Sequence, residues 1–306
     1  MNSLTRNTEI LIIGGGPAGY VAGIYASRAG RKTTLLEGRG RSRLAVGYTL
    51  ENYPGFLAIN SAELLRTFRA QAERFGAELL EEEAIDFNLT GPIKYVVTRE
   101  HLYEARAVIL ATGKPVPRER LIRGEERFIG QGVSYCATCD GPLYRGQTVA
   151  AYGDSEEAAE EVLALHGMGC RVHWMPGLAG DRKTDPPRAQ EIEEKGIPIH
   201  RTARIVEVQG GKGVERLVIE KEGREEEMAV AALFIFRASL TSPLFEKAGL
   251  SIDHGQCLGV DRRQRTNIDG VFAAGDITCG AMQVITAVAE GAVAALQAIA
   301  YVRKQA

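Results

Sequence analysis

Net charge is almost absent from this sequence. Its 37 Lys and Arg stand against 39 Asp and Glu, which leaves −2 at neutral pH, so no overall field draws it to nucleic acid or to an anionic membrane. Cysteine is scarce: five in 306 residues. An odd and sparse set of this kind does not make a secreted disulfide framework. No signal peptide is expected, because the first apolar run, Ile10–Ile13, is short and leads straight into glycines. His166, His173, His200 and His254 lack metal-ligand spacing to the cysteines or to one another, so no metal site is expected. Only one long apolar stretch occurs, Ala281–Val302. It is rich in Ala and interrupted by Glu290 and Gly291, and it reads as a buried helix rather than a membrane span. A cytoplasmic protein with neither nucleic-acid nor membrane partner is expected.

What is present is glycine, at 35 residues, in a chain with 45% hydrophobic content. That suits a large core, two domains and many tight strand-to-helix turns. Glu9–Ile13 reads as a buried parallel strand. Gly14-Gly15-Gly16-Pro17-Ala18-Gly19 follows at once, then a helical run Tyr20–Ala29, then a second strand, Lys32–Glu37, ending in an acid. Strand, GxGxxG turn, helix, strand and acid are all in order within about 30 residues. Gly14 permits the tight turn, Gly16 lets the backbone approach a pyrophosphate, and Gly19 lets helix and strand pack closely. The helix start offers N–H groups and a positive dipole end to phosphate. Glu37 would accept hydrogen bonds from the ribose. Two later strands, Val108–Leu110 and Gly270–Ala274, end in Ala111-Thr112-Gly113 and Gly275-Asp276.

Cys136-Ala-Thr-Cys139-Asp140 carries the chemistry. Two thiols three positions apart can close a small disulfide loop, and one of such a pair often has a lowered pKa. The same spacing is also half of a zinc site. Asp140, directly after the pair, could carry protons to and from a departing sulfur. Cys170, Cys257 and Cys279 have no partner close by in sequence and read as small idle thiols.

With these residues the chain resembles the low-molecular-weight thioredoxin reductases over nearly its whole length. The likeness rests on Gly14–Gly19, Glu51-Asn52-Tyr53-Pro54-Gly55, Ala111-Thr112-Gly113, Cys136–Asp140 with Gly141, Val271–Asp276 and Gln283. It implies an α/β protein with two Rossmann-like dinucleotide-binding domains, the second inserted into the first. Residues 1–115 and 241–306 would form the FAD domain, and 116–240 the inserted domain carrying the dithiol. It implies a homodimer, with FAD held by Gly14, Gly16, Pro17, Ala18, Gly19, Glu37, Ala111, Thr112, Gly113, Gly275 and Asp276. Asn52 would lie against the flavin, and Gln283 with the backbone near Val284 would face its pyrimidine edge. Cys139 would be the thiol nearer the flavin, and Asp140 the general acid/base. The loop before the ENYPG run departs from the family, and its Arg43 is a candidate to reach the flavin or its pyrophosphate.

The inserted domain repeats the nucleotide-binding pattern in outline. Thr148–Tyr152 reads as a strand, Glu157–His166 as a helix and Arg171–Met175 as a strand. In the resembling family this copy binds NADPH. Here its turn is Gly153-Asp154-Ser155-Glu156-Glu157-Ala158, with Ser155 in place of the middle glycine and carboxylates at the helix start. The family's His-Arg-Arg run, which grips a 2′-phosphate, is replaced by Pro176-Gly177-Leu178, and Arg237 stands where the family has a glycine. A hydrogen bond to a charged group is worth about 1.5–3 kcal/mol. Two separate anion contacts are missing and the three carboxylates of Asp154, Glu156 and Glu157 are added, so NADPH binding is not expected.

Another donor is then needed, and here the chain resembles the branches of the family that lack pyridine-nucleotide motifs, one of which takes electrons from ferredoxin and another of which carries a second flavin. Passing two electrons from a ferredoxin near about −400 mV to thioredoxin near about −270 mV releases about 6 kcal/mol. Lys114, Arg118, Arg120, Arg123 and Arg127, or Arg182, Lys183 and Arg188, are candidate docking cations. Trp174, Phe234 and Phe236 are candidates to support a second flavin. The expected function is FAD-dependent reduction of a protein disulfide, in thioredoxin or a similar dithiol protein, through Cys136 and Cys139. An ordinary NADPH-dependent thioredoxin reductase and a non-catalytic flavin redox sensor are the alternatives.

Overall fold

The computed structural model describes residues 4–38, 42–113, 121–177, 188–236, 243–253 and 257–305. The chain divides into two compact units, Met1–Pro115 with Ser239–Ala306, and Val116–Ala238.

The first unit is built on a sheet whose central strands are parallel and almost wholly buried. Ile10, Leu11 and Ile12 have no exposed surface, as expected of strands covered on both faces. Thr5–Ile13 lies between Thr33–Leu36 and Leu102–Leu110, and Val271–Ala273 pairs with the last of these. The register aligns Ile13 with both Leu36 and Leu110, and Leu110 with Ala273. Four strands therefore end at one edge, and each turn that follows carries residues expected at the nucleotide.

Two helices cover one face. Pro17–Arg28 begins with Pro at its first turn, where a missing N–H costs nothing. Val284–Lys304 packs along it. The contact is close because a Cβ on Gly291 would collide with the Ala18 carbonyl. Val284–Lys304 buries only one stripe, Ala287, Gly291, Ala294, Ala295, Ala298 and Val302, while Ile285 and Leu296 stand exposed. The buried helix expected from the sequence is thus buried along one small-residue face, spaced at the helical period.

The second unit has a four-stranded parallel sheet, in the order Arg171–Met175, Thr148–Tyr152, Ala232–Ile235, Val133–Ser134. Tyr152 is aligned with Met175 and Ile235, and Phe234 with Ser134. The dithiol segment and the Gly153 turn thus leave the same carboxyl edge. A separate antiparallel sheet is formed by Ala203–Gln209, Arg216–Lys221 and Arg224–Ala229. The acidic run Glu220–Glu227 reads from the sequence as a solvated hairpin turn between Arg216–Ile219 and Met228–Phe236, and it is mostly strand. Only Glu222 and Gly223 turn, both with positive φ, as a two-residue hairpin requires. Cross-strand hydrogen bonding overrides the low strand preference of the glutamates, whose side chains face solvent.

Candidate functional site

In the first unit, the turn after Ile13 is shaped by contact rather than by flexibility. A Cβ on Gly14 would collide with the Ala111 carbonyl, and one on Gly19 with the Gly14 carbonyl. A Cβ on Gly16 would meet nothing within 4 Å. Gly16 precedes Pro17 at the helix start, so open space lies beside N–H groups that have no partner within the helix. These residues fit a dinucleotide pyrophosphate.

Glu37 follows the second strand and is already engaged. Tyr20 Oη donates to its Oε1 at 2.6 Å, Arg69 Nε donates to the same oxygen at 2.8 Å, and Arg69 Nη2 donates to Oε2 at 3.2 Å. Burial opposes the Glu37 charge, but the Arg69 and Tyr20 bonds outweigh it and hold the carboxyl below its usual range. The acid enters the site as a fixed, ionised acceptor, which the sequence pattern did not reveal.

Asp276 starts the turn after Val271–Ala273 and lies 3.8 Å from Arg43 Nη1. Asn52 Nδ2 donates to Gln283 Oε1 at 3.2 Å. Gln283 caps the helix whose first residue is Val284. The fold therefore brings Arg43 to Asp276 and Asn52 to Gln283.

Glu290 is a member of this cluster that sequence reasoning missed. Its Oε2 accepts from the Gly275 N–H at 2.7 Å and from the Thr278 hydroxyl at 3.3 Å. Burial raises its pKa against those two bonds. The signal was a lone acid in an apolar helix, two turns after Gln283 and so on the same face.

Cys257 and Cys279, expected to be idle, are paired, with Cα atoms 5.5 Å apart, inside the range a disulfide needs. The chain returns between them through the Val271–Ala273 strand, so a 22-residue separation hid the pairing. Cys170 is the free thiol, and burial raises its pKa.

In the second unit, Cys136 and Cys139 form a disulfide with Cα atoms 5.4 Å apart. Cys136 caps the short helix Ala137–Asp140, and the Cys139 N–H donates to Cys136 Sγ at 3.1 Å. Asp140 Oδ2 accepts from the Ser134 hydroxyl at 2.6 Å, and the Cys136 N–H donates to Ser134 Oγ at 3.1 Å. Tyr135, between them, donates its hydroxyl to Glu125 Oε1 at 2.8 Å. Glu125 is wholly buried. The pairing resolves the two readings of the CxxC spacing in favour of a disulfide, and no metal-binding cluster of His, Cys, Asp and Glu occurs among the described residues.

The Gly153 turn opens the helix Glu156–Gly167. Ser155 Oγ accepts the Ala158 N–H at 3.1 Å, as an N-cap does. Arg188 holds Glu156 at 2.9 Å and Glu160 at 3.0 Å. This corrects the view of Arg188 as a docking cation: its charge is spent within the unit. Arg123 pairs with Glu207 at 2.8 Å, and Arg127 lies over the Phe128 ring. Trp174 and Phe234 are fully buried core, and Trp174 Nε1 donates to the Gly153 carbonyl at 2.9 Å. Neither can present a platform to a second flavin; Phe236 is half-buried. Lys114, Arg118, Arg120, Arg182, Lys183 and Arg237 lie outside the described residues.

Residues 8–291 match the family model described as pyridine nucleotide-disulphide oxidoreductase. A thioredoxin reductase of Aquifex aeolicus is 36% identical over 94% of this chain and 91% of its own length. A bifunctional thioredoxin reductase/thioredoxin of Mycobacterium leprae is 39% identical over 95% of this chain, which spans 65% of that longer protein. Among solved structures, thioredoxin reductase from Giardia duodenalis aligns with a TM-score of 0.83 at 31% identity, covering 97% of this chain and 99% of the other. A ferredoxin-flavin thioredoxin reductase from Clostridium acetobutylicum aligns with a TM-score of 0.54 at 31% identity, covering 98% and 99%. The chain belongs to the pyridine nucleotide-disulphide oxidoreductase family, as an FAD-dependent oxidoreductase of the thioredoxin reductase kind that acts on disulfides.

Proposed function

We propose that this protein reduces the disulfide of thioredoxin, or of a similar small dithiol protein, with electrons from a donor other than NADPH. Cys136, Cys139 and Asp140 are the catalytic residues of this reading. Gly14, Gly16, Pro17, Ala18 and Gly19 would hold the FAD pyrophosphate, and Glu37 its ribose. Ala111–Gly113, Gly275, Asp276, Arg43, Asn52, Gln283 and Val284 would surround the rest of the cofactor. FAD, when bound, supplies the electron pair that opens the disulfide and can accept that pair one electron at a time.

Opening the Cys136–Cys139 bond consumes two electrons and two protons and yields two thiols. The Cys139 N–H aimed at Cys136 Sγ favours the thiolate form of that sulfur, which supports Cys136 as the nucleophile. Its attack on the partner's disulfide breaks the S–S bond, forms a mixed disulfide and releases one partner thiolate, which takes a proton. Cys139 then attacks Cys136 Sγ, re-forms the internal disulfide and releases the second partner thiol. Asp140 holds and returns the proton.

The donor reading is carried by one observation: the turn equivalent to the NADPH site is satisfied internally. Ser155 takes the Ala158 N–H, and Arg188 binds Glu156 and Glu160. A phosphate there would meet carboxylates and a capped helix start instead of open donors. Full burial of Trp174 and Phe234 weighs against a second flavin stacked on them. Similarity to a ferredoxin-flavin enzyme supports an iron–sulfur protein as donor. Ferredoxin delivers single electrons, which a flavin can collect for a two-electron disulfide.

An anaerobic titration tests this. The flavin absorbance should bleach with reduced ferredoxin and recover on adding oxidised thioredoxin, with no bleaching by NADPH or NADH at micromolar levels. Rapid bleaching by NADPH would make the protein an ordinary pyridine-nucleotide enzyme. Bleaching without recovery on thioredoxin would leave it a redox sensor.

A further inference from the structure

We infer that Ser134 is a positioning residue for disulfide exchange, fixing the Asp140 carboxylate and the Cys136 backbone in one hydrogen-bonded unit. This rests on the reading above, in which Cys136, Cys139 and Asp140 carry the reaction.

A serine hydroxyl has one hydrogen and two lone pairs. Two acceptors lie within reach of Ser134 Oγ: Asp140 Oδ2 at 2.6 Å and the Cys136 carbonyl at 3.2 Å. The much shorter contact, to Asp140 Oδ2, takes the hydrogen. A lone pair is then left for the Cys136 N–H, which approaches at 3.1 Å. The direction of the chain is thereby set: Cys136 N–H donates to Ser134, and Ser134 donates to Asp140. The Asp140 N–H in turn donates to the Cys136 carbonyl at 3.3 Å. Both ends of the 136–140 turn are thus tied to a single oxygen.

That oxygen is anchored by the sheet. Ser134 is only 5% exposed and ends a strand whose register places it beside Phe234. Cys136, Cys139 and Asp140 are all half-buried; Cys139 and Asp140 sit on a helix of four residues that Cys136 caps, which has little rigidity of its own. The hydroxyl carries the order of the sheet into the reactive turn. It occupies Oδ2, and among the described residues Oδ1 makes no hydrogen bond, so Oδ1 is the oxygen that takes and returns the proton. When Cys136 becomes a thiolate, the Ser134–Cys136 N–H bond keeps its backbone in place.

The test uses anaerobic holoenzyme reduced with dithionite and mixed with oxidised thioredoxin, so the identity of the natural donor does not enter. Wild type, Ser134→Ala, Asp140→Ala and the double variant are compared by maximal rate and half-saturating thioredoxin concentration. Ser134→Ala should lower the maximal rate about ten- to hundredfold, the size of one charge-assisted hydrogen bond, at unchanged half-saturation. In the Asp140→Ala background the same change should have a distinctly smaller effect, the part that comes from the Cys136 N–H bond. An unchanged rate, or an equal loss in both backgrounds, overturns the proposal. If Ser134→Ala lowers the melting temperature sharply, the isosteric pair Ser134→Thr and Ser134→Val is used instead. The Thr variant should then be the faster by the same factor, and equal rates overturn the proposal. A wild-type enzyme that fails to reduce thioredoxin refutes the proposed function instead.

Discussion

Asn52 Nδ2 donates to Gln283 Oε1 at 3.2 Å, although 231 residues of chain separate them. Each was expected beside the flavin for its own reason, and the fold makes them one unit. Substituting either by Ala should speed FAD release. The two effects should be coupled by about 0.5–1.5 kcal/mol, the net value of one hydrogen bond. Off-rates of FAD from the single and double variants measure this, and strictly additive effects would show two independent contacts.

The dithiol makes a sharper prediction. Cys136→Ser and Cys139→Ser should each keep bound FAD and lose thioredoxin reduction entirely. The turns proposed to hold FAD lie in one compact unit and the cysteines in the other, so cofactor content and turnover separate. Turnover retained in either variant would remove these sulfurs from the mechanism.

Thiol titration reads out the second disulfide. The chain has five cysteines, and the two bonds Cys136–Cys139 and Cys257–Cys279 use four. Oxidised protein, unfolded without reductant, should show a single reactive thiol, that of Cys170. A count of three would mean that Cys257 and Cys279 are not joined.

Trp174 offers a test of packing. The ring is fully buried and its Nε1 donates to the Gly153 carbonyl. Trp174→Ala should cost about 3–5 kcal/mol of stability, the range for a large aromatic removed from a core. Urea unfolding followed by circular dichroism measures it. A loss well under 1 kcal/mol would mean that the ring is not core.

His173 Nδ1 and His200 Nε2 are 2.9 Å apart in the second unit. Burial lowers both pKa values from 6.5, and the neighbouring His173 and Lys221 lower His200 further. Just below pH 6.5 the unfolded chain therefore binds more protons than the folded one, so stability rises with pH there. The stability is fully present above pH 6.5 and is lost as pH falls through the depressed values. Urea midpoints at pH 7.5 and 5.5 should differ more in wild type than in His173→Gln/His200→Gln. An equal difference would free these rings of any part in acid sensitivity.

Much of the flavin half was legible from the chain alone. Gly14, Gly16 and Gly19 follow an Ile-rich strand and precede a helix, and the structure has strand, turn and helix there. In the second turn, Ser155 and Glu156 stand where the pattern needs a glycine and open donors, and Ser155 caps the helix start there. What was missed lay on partners distant in sequence. The acidic strand Arg224–Ala229 looked like a turn because its side chains are polar, whereas its backbone is held by the neighbouring strand.

Spacing along the chain determined which residues share a turn or a helix face, since backbone geometry repeats every two residues in a strand and every 3.6 in a helix. That was enough for the glycine turn and for the adjacency of Cys136, Cys139 and Asp140. Only tertiary structure decided that Arg188 neutralises Glu156, that Cys257 meets Cys279, that Glu290 braces Gly275 and that Trp174 is core. Those contacts depend on strand order and helix packing, which arise from burial of the whole chain, and local periodicity carries no record of them.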